Sequence, residues 1–335
     1  MFLVVILVPA LGKAQRVEDT GNSTLGLPIT VAPRPGGESP ALQEISDAVV
    51  DKAGNIYIVD AKRKLLAVFS RSGAAITTLH GRNPHADADD FPGIALAIDA
   101  SDVVYTLERW GRKIRKYRLQ RSALQLVDSF DTNTPMGSFC ISGTDLYLLG
   151  FQDGAIVHRY DLTGHHVASF GLPYSRNLGI SETSTRLSGR MACLPEAKIV
   201  AVGTAMFDSV RAYSNAGSLL WVFSPPGFRA IQVKDLPDAA YEIRLGNRPT
   251  DAIAGLLRGP GGRTVGIRVE QINGAQHIPD ATKTYFVDAT SGRLVESNDS
   301  LPQILRTVRE LAIVVHNEKQ PVVSIREWQH RARRF

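Results

Sequence analysis

The sequence is short of the residues that most often announce an enzyme. Two cysteines among 335 residues are too few for a disulfide scaffold and form no paired C-x-x-C for zinc or dithiol chemistry. No nucleophile elbow G-x-S-x-G, no H-E-x-x-H and no Gly-rich loop ending in Gly-Lys-Ser/Thr is present. Those absences argue against the common hydrolases and nucleotide enzymes, while leaving room for chemistry particular to one fold. No apolar run approaches the roughly 20 residues that a bilayer-spanning helix needs. The excess of one charge over the other is small as well: the net +5 allows weak attraction to acidic partners and nothing more specific. What the chain does have is 44% apolar and 21% charged residues, enough for a sizeable core and against disorder.

The most informative stretch is Ile45 to Tyr117, because it contains one unit twice. Asp51, Tyr57, Asp60 and Phe69 recur without a gap as Asp99, Tyr105, Glu108 and Tyr117. Each copy reads as apolar run, acidic residue, polar turn, apolar run with Tyr, acidic residue, basic loop, apolar run ending in an aromatic. A unit of about 40 to 50 residues with several short strands and no helical period is the mark of a propeller blade. Further units start at Ser138 and Gly189. Phe69, Tyr160 and Tyr213 each precede a glycine (Gly73, Gly164, Gly217) by the same spacing, so one turn between third and fourth strands is reused. A looser unit runs from Ala252 to Val295. Ile304–Val308, Leu311–Val315 and Val322–Ile325 supply only three strands for a sixth. A ring closes best when one blade combines strands from both chain ends, and Leu27 to Val31 is the candidate to fill the gap. The fold class expected is all-β, a six-bladed β-propeller closed by an N-terminal strand completing the last blade.

Asp51-Lys52-Ala53-Gly54-Asn55-Ile56-Tyr57-Ile58-Val59-Asp60 resembles the repeat core of NHL-type six-bladed propellers, particularly the secreted bacterial group. The resemblance is strong over blades one and two, fair over three and four, faint over five and six, and blade six lacks the repeat core. It implies a fold more than a job, since such propellers include enzymes, sensors and binding platforms.

Met1 to Val8 is almost wholly apolar, and small residues at cleavage-type spacing follow, so residues 1–14 read as a signal peptide lacking a basic start. The expected organisation continues with 15–44 as a segment carrying the ring-closing strand, 45–329 as the propeller and 330–335 as a basic tail. The expected address is periplasmic or secreted.

Turns alternate between the two faces of a propeller. One face receives the tight turns, such as Lys52–Asn55 and Ser214–Gly217; the other receives His80–Pro92, Leu172–Arg186, Pro225–Thr250 and Glu270–Lys283. Connections beyond about 12 to 15 residues are uncommon unless they do something, and binding residues gather on loops held by a rigid scaffold. The long-loop face is therefore the expected working face. On it, Ile231–Val233 and Tyr241–Leu245 are expected to pair as a hairpin. Lys62, Arg63 and Lys64 occupy the same turn of blade one that Arg109, Trp110 and Arg112 occupy in blade two. They form a basic ledge suited to an acidic protein, peptide or glycan; nucleic acid is not expected in an exported protein.

The expectation is thus a non-catalytic binding propeller with no cofactor. Its alternative is a cation-dependent lactonase or lyase, because propellers resembling this fold can hold a divalent ion at the channel mouth. Asp47, Ser138, Arg190, Asp251 and Gln303 are the polar residues placed there, and only Asp47 and Asp251 would suit Ca²⁺ or Zn²⁺. The loop His80 to Asp90 mixes His and carboxylates but fits no EF-hand spacing. Cys140 and Cys193 fall in apolar first strands of neighbouring blades and are expected to be free buried thiols.

Overall fold

A computed structural model describes residues 23–33, 40–81, 93–108, 112–132, 135–235, 241–244, 248–273, 276–308, 310–316 and 321–330. The proposed signal peptide lies outside the described residues, as do the basic tail beyond His330 and most of the loop from His80 to Pro92.

The chain forms six antiparallel sheets arranged as a six-bladed propeller. The first strands are Ile45–Val50, Ala95–Ile98, Met136–Ser142, Gly189–Leu194, Thr250–Arg258 and Ile304–Val308. Each contacts the first strand of the next blade, and the last returns to the first. Blade six takes its inner three strands from the C-terminal part of the chain and its outer edge from the N-terminal part. Thr30–Ala32 pairs with Val323–Ile325, and Ser23–Leu25 with Trp328–His330. The expected single strand thus arrives as two short ones. Pro28, which has no N–H to give a ladder, lies between them, and Leu27 turns out into solvent at 88% exposure. The Glu296 carboxylate of blade five accepts hydrogen bonds from the Ser23 N–H at 2.6 Å and its hydroxyl at 2.9 Å. The Asn298 amide donates to the Ser23 carbonyl at 2.9 Å.

The core is not one body. Six apolar clusters lie between neighbouring blades; Ile58, Ala67 and Phe69 of blade one, for example, meet Ile313 and Val323 of blade six. Every blade is therefore buried on both sides, which explains strands such as Ile56–Asp60 and Leu65–Phe69 that are apolar on both faces.

The repeated residues are explained by their bonds. Asp51 ends a first strand and accepts from the Asn55 N–H at 2.8 Å and the Tyr57 hydroxyl at 3.0 Å. Asp99 repeats this with the Val103 N–H at 3.0 Å and the Tyr105 hydroxyl at 3.2 Å. Burial and the adjacent carboxylate push both tyrosines above their ordinary pKa. The reused glycines stand where an aromatic of the preceding blade's outer strand crosses the turn. A Cβ on Gly164 would come within 2.5 Å of Phe130, and one on Gly217 within 2.8 Å of Phe170. Both glycines also adopt positive φ, 99° and 93°. Phe130 stacks on Tyr160, and Phe170 meets Tyr213, so aromatic and turn together lock blade two to blade three and blade three to blade four.

Cys140 and Cys193 are not free thiols. They form a disulfide with a Cα–Cα distance of 5.7 Å. The expectation rests on strands of different blades staying too far apart. First strands are the exception, because they crowd around the axis where the blades converge.

Candidate functional site: the central channel and its long-loop mouth

The six first strands enclose a cavity of about 1210 Å³. Asp47, Ser138, Arg190 and Gln303 line it as expected, and Lys62 and Lys64 reach its rim. Asp251 does not. Its strand carries an irregularity between Ile253 and Gly255, and Asp251 faces a smaller cleft beside Pro225, Phe228 and Tyr285. There it pairs with Arg229, whose N–H groups donate to its carboxylate at 3.2 and 3.3 Å.

Among the charged lining residues that were not foreseen, Arg268, Glu270 and Arg306 lie between the two ends of the channel. Arg306 of blade six makes a two-point bond to Asp47 of blade one, at 2.7 and 3.3 Å. Asp47 also accepts from the Leu96 N–H of blade two at 2.8 Å, so one carboxylate joins three blades. Arg268 and Glu270 sit on blade five's second strand and pair with each other. They show in the cavity because Gly255 and Ala254 of the first strand leave space before them; a Cβ on Gly255 would be 3.7 Å from that of Arg268. Arg190 lies deep in the disc. Its Nε donates to the Ala254 carbonyl at 2.8 Å and its Nη1 to the Gly189 carbonyl at 3.0 Å. Burial lowers the pKa of both Arg190 and Arg268. Glu270 opposes that in each case, and the repulsion of Arg268 adds to it at Arg190.

The two ends of the channel differ. On the tight-turn side, Arg258 pairs with Glu196 at 3.1 Å and with Glu310 at 3.3 Å, joining blades five, four and six. On the other side stand the insertions. Residues 172–186, expected as a loop, contain most of the helix Leu178–Ser188, whose start is capped by the Asn177 side chain accepting from the Ile180 N–H. Gln232–Asp235 and Tyr241–Arg244 pair as the expected hairpin, and the Tyr241 hydroxyl bonds the Thr183 hydroxyl of the helix at 2.7 Å. Blade five's middle strands, Thr264–Asn273 and Gln276–Asp288, extend beyond the blade as a ladder where a loop was expected. The rim here carries Lys62, Lys64 and Arg186 against Glu44.

Of the expected ledge, Lys62 is exposed and on the rim. Arg63 turns aside to donate to the Ala41 carbonyl, and Arg112 is exposed on blade two. Arg109 and Trp110 lie outside the described residues. Among the described residues, no three His, Cys, Asp or Glu gather as a metal site. None of their helices is long and apolar enough to cross a membrane.

No known family's sequence profile matches the chain, and neither does any curated protein. Solved structures do match in shape. One is a member of the DUF4221 family from Bacteroides vulgatus, at 7% identity and a TM-score of 0.57, over 93% of this chain and 99% of that one. Another is a Bacteroides fragilis protein named as a candidate for export, at 10% identity and a TM-score of 0.58, over 94% and 98%. At such identities the likeness establishes the propeller over nearly its whole length, and no activity.

Proposed function

We propose that this protein is a non-catalytic binding propeller that captures an acidic peptide, protein or glycan on its long-loop face. The observation that carries the reading is the asymmetry of the disc. The helix, the hairpin and the overhanging ladder of blade five all rise on the side where Lys62, Lys64 and Arg186 surround the cavity mouth. A basic rim around a concave entrance concentrates field lines and draws anions in. Secretion and NHL-type kinship belong to the same reading. They are supported by the repeat core, by the Cys140–Cys193 disulfide, which suits an oxidising compartment, and by the Bacteroides fragilis likeness.

The test uses polyglutamate and polygalacturonate against neutral dextran, presented to the immobilised full chain. Both acidic polymers should be retained over dextran, less so as salt rises. Lys62→Glu/Lys64→Glu should weaken retention by about tenfold or more, since two attractive charges become two repulsive ones, with little change in melting temperature. Equal retention of neutral and acidic polymers, or of acidic polymers by both proteins, would remove the reading.

A further inference from the structure

Resting on that reading of the face, we propose that the central cavity is a receptor for a small organic monocarboxylate, held by Arg190. Five charged side chains line the cavity between its rim and the Arg258 network. Arg306 is matched by Asp47 through two bonds, and Arg268 by Glu270. Arg190 is the third guanidinium, and no carboxylate among the described residues bonds it. Two of its N–H groups are committed to the Ala254 and Gly189 carbonyls, and Nη2 has no hydrogen-bond partner among the described residues. A guanidinium drawn into the disc with no bonded carboxylate is costly to maintain, so the placement of Arg190 in the wall of a large cavity points to an occupant.

Charge chooses its class. Three guanidinium groups against two carboxylates leave one positive charge, which a monoanion neutralises. A phosphate dianion would leave an excess negative charge beside Asp47 and Glu270. The planar fork of arginine also suits a carboxylate. Because backbone carbonyls already fix the Arg190 head group, little ordering remains for binding to impose. Ile94, Ala97 and Ile141 supply an apolar wall for a short carbon skeleton. Entry is from the long-loop side, since Arg258 at the other end is already matched by Glu196 and Glu310.

The experiment is calorimetry and thermal melting of the full chain with acetate, lactate and glucuronate, with acetamide and inorganic phosphate as comparisons. The carboxylates should bind one per chain and raise the melting temperature; acetamide should do neither, and phosphate should bind more weakly. Arg190→Gln should weaken carboxylate binding by roughly 10- to 100-fold, the range for a lost charge-assisted hydrogen bond. Arg190→Lys should also weaken it, because a point charge lacks the fork. If circular dichroism shows that neither variant folds, the wild-type arms decide. Indifference of the wild type to all three carboxylates, tighter binding of phosphate, or unchanged affinity in a folded Arg190→Gln protein would each overturn the proposal. Carboxylate binding that depends on Arg190, together with unselective polymer capture, would retain the cavity site and reject the face. The reverse result would reject the cavity site alone.

Discussion

Cutting the link between blades three and four should lower the stability of the ring by a readily measured amount. In the loop-entropy description, a cross-link between residues 53 apart removes about 14 cal/mol/K from the unfolded chain, or about 4 kcal/mol at 25 °C. That figure is an upper value, because compact unfolded chains have less entropy to lose. Cys140→Ala/Cys193→Ala, or reduction of the wild type, is the perturbation. With a urea dependence of about 3 kcal/mol/M, the loss moves the unfolding midpoint down by roughly 1.3 M. Reduced wild type and the double variant should lose the same loop constraint, the variant losing slightly more because Cys140 and Cys193 also pack in the apolar cluster between blades three and four. The assay is equilibrium urea unfolding by fluorescence, with thiol titration of the native and unfolded oxidised protein. A midpoint shift near zero, or two titratable thiols in the native protein as isolated, would refute the reasoning. It would restore the view of two independent buried cysteines.

Three other outcomes follow from the geometry of single residues. Asp47→Ala should destabilise by about 3–5 kcal/mol in urea unfolding, because it strands the part-buried Arg306 charge. Asp47→Ala/Arg306→Met should recover much of that loss. Gly217→Ala should cost about 2 kcal/mol or more in thermal unfolding, from positive φ and a clash with the Phe170 ring together. Gly227→Ala, also at positive φ but with open space around it, should cost only the backbone part, about 1 kcal/mol. Equal losses at the two glycines would refute the interlock. The third outcome concerns pH. His158 is fully buried. Its Nε2 bonds the Gly150 carbonyl at 3.2 Å and its Nδ1 the Ser169 hydroxyl at 2.8 Å, as the neutral ring requires. Burial lowers its pKa below 6.5, with His166 adding to that and the Gly150 carbonyl and Asp153 opposing it. The unfolded chain therefore binds the proton more readily. Stability present above pH 6.5 should fall as pH drops from there toward the folded pKa, with a slope of up to about 1.4 kcal/mol per pH unit. Thermal melts between pH 7.5 and 5 should show that slope, and His158→Gln should flatten it.

Much of this architecture is legible in the sequence because its signals are local. Asp51 and Tyr57 recur as Asp99 and Tyr105 since each blade needs the same bonded corner. Gly73, Gly164 and Gly217 recur since each turn needs positive φ. Asn177 is the one local sign of the helix: a capping residue precedes Leu178–Ser188, but the weak apolar period of the segment reads as a loop. The remaining features depend on distances across the ring. Nothing near Cys140 states how closely first strands approach at the axis. Asp251 faces the side cleft because of one irregularity in the pairing of its strand, which shifts which residues face the channel. Arg268 reaches the cavity only because Gly255, on another strand, has no side chain. Arg306 reads as an ordinary strand residue until closure brings Asp47 to it.

The seam of blade six also determines how the ring would respond to traction. Ser23 lies opposite His330, and Thr30 opposite Ile325, so the first and last described residues stand at the same end of one antiparallel pair. Force applied between them would fall on the outermost rungs one after another, peeling the strands apart like a zip. The first element to yield would be Ser23–Leu25, held by three register pairs and the Glu296 and Asn298 anchors. The five complete blades would meanwhile bear little load. A tether attached at those two residues would therefore open the disc at a hinge of its own making while leaving the channel wall of blades two to five assembled.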